Sequence, residues 1–127
     1  MSISYTYNKN AHFVHTEVTD VITLPEVLAY VDKLLVDDNI SSPFYEIVDF
    51  KNIQSFDFGY YQADELYNKL ALLTEAKQHM GTCFIAHNEI TAGMANIFSI
   101  VGKDKNMNIQ IFKTLDQALK YVEENTA

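Results

Sequence analysis

From residue 11 onward, short apolar runs alternate with longer stretches whose apolar residues recur at helical spacing. This alternation constrains the fold more than any single residue does. Strand, helix and strand repeated along a chain imply crossover connections and a largely parallel sheet with helices packed on it. The clearest helix start is TLPE. Thr23 can cap, Pro25 suits the first turn, and Glu26 completes a capping box three residues after Thr23. Leu24, Val27, Leu28, Val31, Leu34 and Leu35 then fall on one face. Asp37-Asp38-Asn39 and Ser42-Pro43 close that helix.

The other elements follow from the same two periods. SISYTYNK alternates, with Ile3, Tyr5 and Tyr7 on one side, as a half-buried strand does. Asn8-Lys9-Asn10 is a turn and AHFVHTEV a second strand, so the chain opens with a hairpin. FYEIVDF is a short apolar strand. A second helix is predicted from Gly59 or Tyr60 to about Met80, striped by Ala63, Leu66, Tyr67, Leu70, Leu73 and Ala76, with Gly81 ending it. TCFIA is a buried strand, a third helix covers about Ile90 to Val101, and NIQIF is the last strand. Thr114 and Gln117 then form a second capping box before a helix lined by Leu115, Ala118, Leu119 and Val122. The expected fold class is α/β, with a mixed, mostly parallel five-stranded sheet and about four helices. With only four Gly and two Pro, and no linker or repeat, residues 1–127 read as one domain.

Composition excludes some partners. Nine basic against 17 acidic residues leave a net charge of −8, and the basic residues are scattered singly. A nucleic-acid surface needs a concentrated positive patch, and anionic membranes attract basic segments. Neither partner is expected. MSISYTYNKN lacks the apolar core of a signal peptide, and no run approaches the length of a membrane span. Cys83 alone cannot form an internal disulfide, which fits a reducing, cytoplasmic setting. Its place in TCFIA marks it as a small buried hydrophobe.

Candidate sites are few. In an open sheet, ligands bind beyond the carboxyl ends of the strands. Asp49 is placed near the end of its strand, and Asp57 just before the second helix, where the helix dipole favours a carboxylate. Both positions have a purely structural account. The functional alternative is a polar cleft in which Asp57, His87 and Glu89 converge as acid/base groups or ligands. His12 and His15 are three apart on a strand and point to opposite faces, so they form no metal pair. There is no glycine-rich phosphate loop and no nucleophile elbow. No cofactor and no metal are expected.

The segment IVDFKNIQSFDFG resembles the central motif of STAS domains, the sulfate-transporter and anti-sigma-factor-antagonist (SpoIIAA-like) fold. In that family a strand ends in aspartate, a short loop with Gly or Asn follows, and an Asp-Ser pair opens the next helix. Asp49, Asn52, Ile53, Phe56 and Asp57 occupy those places here. FIAHNEITAGMANIF and IQIFKTLDQAL are similar to the second half of small bacterial STAS-like proteins of unassigned function, so the resemblance spans about residues 11 to 123. It implies a STAS fold and assigns no particular activity; the expected function is a non-enzymatic regulatory or interaction module. The phosphorylated serine of the antagonists falls on Phe58, which has no hydroxyl, so their kinase-driven switch does not carry over. Asn96 stands where the small proteins often carry arginine.

The third helix is unusual. TAGMANIFSIVG contains no charge. Met94, Ile97, Phe98 and Val101 make a stripe for the sheet, which leaves Ile100, Ala92, Gly93 and Ser99 off it. Deep burial explains this, and so does a second apolar interface, either a homodimer contact or a pocket wall. Phe58 and Tyr61, with Met94 and Ile100, are the expected docking surface of a homodimer or a protein partner. A carrier or sensor of a small apolar or lipid-like ligand is the second reading, since STAS folds resemble lipid-binding CRAL-TRIO domains in outline. An enzyme using Asp57, His87 and Glu89 is the third.

Overall fold

The computed structural model describes residues 3–41, 43–57, 63–104 and 107–126, except for the side chains at 52, 54–57, 63, 101 and 104. Within them the elements are β1 (Ile3–Asn8), β2 (Phe13–Thr23), α1 (Leu24–Val36), β3 (Phe44–Asp57), α2 (Ala63–Lys77), β4 (His79–Ile85), α3 (Glu89–Asp104), β5 (Ile109–Phe112) and α4 (Leu115–Thr126). The sheet has five strands in the order β1-β2-β3-β4-β5. β1 runs antiparallel to β2, and every other neighbouring pair is parallel. The mixed sheet with its antiparallel edge is the one the alternation predicted.

Both expected N-caps form, and the one at Thr114 is a full capping box. Thr23 Oγ1 accepts from the Glu26 amide, and Gln117 Oε1 accepts from the amides of Lys113 and Thr114 while Thr114 Oγ1 accepts from Gln117. A second box starts α3, where Asn88 Oδ1 accepts from the Thr91 amide and Thr91 Oγ1 from the Asn88 amide.

The pleat of β3 assigns the two faces. Phe44, Glu46, Val48 and Phe50 point toward α1, α2 and α3, and pack with Val31, Leu34, Leu70, Leu73 and Ala95. Tyr45 and Ile47 point the other way, where α4 lays Ala118 and Val122 over them together with Cys83 and Ile85.

Three boundaries depart from expectation. β3 does not stop at Phe50. It runs on to Asp57, because β2 runs on to Thr23 and the two extensions pair through register shifts after Val18 and Asp20. Asp49 is therefore inside a strand, not at its end, and Asp57 closes β3, with α2 starting at Ala63. α2 ends at Lys77, and its left-handed cap is Gln78, with φ 51° and an amide bonded to the Thr74 carbonyl. Gly81 is in β4. A Cβ there would meet the Asn108 carbonyl oxygen at 2.8 Å, so the glycine serves close approach of the chain entering β5. Finally, the second strand begins at Phe13, and His12 sits in the preceding turn at φ 58°.

Candidate functional site

Three places in this fold carry chemistry. The first is a polar cluster inside the sheet face under α1 and α2. Glu46 is the one charged side chain on the inward row of β3 between Phe44 and Phe50, and it is buried. Three groups converge on it. Tyr30, from α1, donates its hydroxyl to Oε2. Thr82, from β4, donates to Oε1 at 2.8 Å. His79 Nε2 lies 3.1 Å from the same oxygen. A carboxylate only accepts, so Nε2 carries the proton. Thr16, from β2, reaches the Tyr30 oxygen at 2.6 Å. Burial pushes the Glu46 carboxyl up, but the bonds from His79, Tyr30 and Thr82 outweigh it and hold the group below its ordinary range. Burial first, then the Glu46 charge, pushes the Tyr30 hydroxyl well up, so it stays a donor.

The cluster borders a partly open cavity of about 80 Å³. Thr16, Tyr30, Glu46 and Thr82 form its polar side; Tyr67, whose hydroxyl donates to the Phe98 carbonyl, and apolar side chains including Val48, Leu70, Phe84 and Phe98 form the rest.

The second place is the carboxyl-end edge of β3 and β4. Asp49 is buried on the α4 face, and Ile85 is its register partner in β4. The chain leaves β4 with the Ala86 amide bonded to the Phe112 carbonyl, and His87 then turns back so that Nε2 lies 2.6 Å from Asp49 Oδ1. The imidazole side chain is 42% exposed. Asp49 accepts from Nε2 of that ring. Glu17, opposite Asp49 in β2, lies 3.5 Å from Lys51 instead. The partner of His87 is thus Asp49, which was not among the residues expected to converge with His87. Glu89 is exposed in the first turn of α3, and the side chain of Asp57 lies outside the described residues. No three His, Cys, Asp or Glu among the described residues lie close enough to hold a metal ion.

The third place is the outer face of α3. Thr91, Ala95, Phe98 and Gly102 are the buried positions, not the expected stripe of Met94, Ile97, Phe98 and Val101. Phe98 is buried as predicted and Met94 half-buried, the side chain of Val101 lies outside the described residues, and Ile97 points out. Ile90, Ile97 and Ile100 are 67%, 51% and 52% exposed. With Gly93, where an added Cβ would meet nothing within 4 Å, they recur at the three-and-four spacing of a helix-pairing seam. The stripe slipped because small residues, Ala95 and Gly102, let α3 sit close to the sheet. A Cβ on Gly102 would meet the end of Ile109 at 2.2 Å. Phe58 and Tyr61 lie outside the described residues.

No protein-family model matches this chain, and no curated protein does. Among solved structures it is similar to an uncharacterized protein of the DUF3478 family with a SpoIIAA-like fold, from Shewanella loihica PV-4. The TM-score is 0.59 at 9% identity, over 94% of this chain and 91% of that one. The fold is SpoIIAA-like. Within the SpoIIAA-like frame, β3 carries both Glu46 and Asp49 on opposite faces, so one strand serves both polar sites. No helix among the described residues of this SpoIIAA-like chain is long and apolar enough to cross a membrane.

Proposed function

We propose that the protein is a non-enzymatic interaction module of regulatory use, that it docks through the outer face of α3, and that its first partner is a second copy of itself. The observation that carries this reading is the exposure of Ile90, Ile97 and Ile100 on one stripe of an otherwise well-packed helix. A surface helix is normally charged there. Fully burying one isoleucine side chain is worth about 1.5–3 kcal/mol, so three per protomer are a substantial driving force. Open space at Gly93 favours close backbone approach.

A second copy suits this face because of its charges. Glu89 lies in the first turn of α3 and Lys103 in the last. Two such helices packed antiparallel about a two-fold axis set the glutamate of each against the lysine of the other. Half-buried Met94 borders the same surface. Phe58 and Tyr61 belong to the proposed contact on sequence grounds.

Native mass spectrometry and light scattering test the reading. The wild-type chain is expected to be a dimer at micromolar concentration. Ile97→Asp with Ile100→Asp should give a folded monomer with unchanged circular dichroism. Phe58→Ser should weaken the dimer by a smaller amount. A wild-type monomer at about 100 μM, or a dimer that survives the double aspartate variant, would sink the reading. The Asp49–His87 pair offers one positioned base. It supports the enzyme reading less well, since a lone base needs a second group to act on a substrate.

A further inference from the structure

We propose that the cavity beside Glu46 is a binding site for a small aliphatic alcohol, whose hydroxyl donates to the Glu46 end while its carbons lie against Val48, Leu70, Phe84 and Phe98. The site is independent of the outer face of α3.

The protons of this cluster are all committed. Tyr30 has one hydroxyl proton, and it goes to Glu46 Oε2. In its 2.6 Å contact with Thr16, Tyr30 must therefore accept, so the Thr16 proton is used as well. Thr82 spends its proton on Glu46 Oε1, and so does His79 through Nε2. Every side-chain donor of this cluster is already directed inward. Acceptor capacity remains: a carboxylate offers about four lone-pair positions, and the Thr82 oxygen, which has His79 Nε2 at 3.2 Å, offers a second lone pair. Three donors reach Glu46, which leaves a position open. A guest that donates finds a partner there. A guest that only accepts finds none, and a carboxylate guest also meets the buried negative charge of Glu46.

Size sets the guest. A cavity of about 150 Å³ takes benzene. One of about 80 Å³ takes a group of roughly three or four non-hydrogen atoms. The apolar lining makes water a poor filler over most of the surface, because a buried water needs two to four polar partners.

Propan-2-ol, acetone and acetate each have four non-hydrogen atoms and nearly the same shape, but only the alcohol donates. Methyl-labelled protein titrated with each, and followed by NMR at Val48, Leu70 and Val27, tests the proposal. Propan-2-ol should shift these methyls saturably, with a dissociation constant in the millimolar range. Acetone and acetate should bind at least about tenfold more weakly, the loss expected for one hydrogen bond to a charged acceptor. Val48→Ile narrows the cavity by one methyl group and should weaken the alcohol several-fold. Glu46→Gln, if folded, should remove the preference for alcohol over acetone. Equal binding of alcohol and acetone, or no saturable shift with any probe because ordered water alone fills the space, would overturn the proposal. The wild-type comparison decides this even if the Gln variant does not fold.

Discussion

Glu46 is the residue on which the interior depends. It accepts from a hydroxyl of α1 and from a hydroxyl and an imidazole of β4. Tyr30→Phe deletes one bond to a charged acceptor and should cost about 1.5–3 kcal/mol in urea unfolding at pH 7. The pH dependence has a definite sign. The folded carboxyl lies below its ordinary value of 4.5, so the unfolded chain binds more protons than the native one at mildly acid pH. The stabilisation is therefore complete above about pH 4.5 and is lost as the pH falls through the lower, folded value. The Tyr30→Phe difference should accordingly be largest at neutral pH and shrink below pH 4.5. A difference that stays constant through the whole acid limb of the unfolding profile would mean that Glu46 is not the charged acceptor. One signal of this cluster was legible. In FYEIVDF a glutamate shares its side of the strand with Phe44, Val48 and Phe50, and an acidic residue on so apolar a row needs a partner. Its partners were not legible, because Tyr30, His79 and Thr82 arrive from other elements.

At the scale of elements, glycines separate packing from propensity. Gly93 lies in α3 with open space beside it, so Gly93→Ala should raise the stability of the monomer by about 1 kcal/mol through helix propensity. If α3 pairs with a second copy, the same change should weaken the dimer, because the added methyl stands where the helices meet. Gly81→Ala should destabilise by about 1–3 kcal/mol, since the methyl would press on the Asn108 carbonyl oxygen. Thermal unfolding at two protein concentrations reads both effects. A Gly81→Ala protein as stable as wild type would refute the close-approach account. The capped helix starts were legible because capping is local: Thr23 with Glu26, and Thr114 with Gln117, need only each other. The end of α2 was not. Glycine is the usual left-handed cap, which pointed to Gly81, whereas Gln78 takes that conformation and the strand starts at once. The length of β3 was hidden for a related reason. KNIQSFD has no strand pattern of its own and is extended by pairing with Thr19–Thr23 of β2. The Asp49–His87 pair likewise depends on the register of β3 against β4, which periodicity does not contain.

At the scale of the whole molecule, the two faces of the sheet are covered unequally. Three helices lie on one side, and α4 alone on the other. Cys83 reports on that thinner side. It is fully buried with Ala118 and Val122, and burial, with a smaller contribution from the Glu46 charge, pushes its thiol up to about 12. Labelling by a thiol reagent at pH 8 should therefore require opening of the fold, and its rate should rise about tenfold for each 1.4 kcal/mol of stability removed by urea. Labelling within seconds in native buffer would show that α4 leaves the sheet independently.

The strand order has a consequence for how the protein is made. Neighbours in the sheet are neighbours in the chain, from β1 through to β5. A ribosome delivers the strands in the order in which the sheet adds them, and domains begin to fold from the N-terminal side during synthesis. Each new strand meets a finished edge, and none has to be threaded between two others. Only α4 breaks the symmetry of this growth. Until it emerges, Tyr45, Ile47, Cys83 and Ile85 form an apolar row open to water. The interval in which the nascent chain is exposed to aggregation ends with the arrival of its last helix.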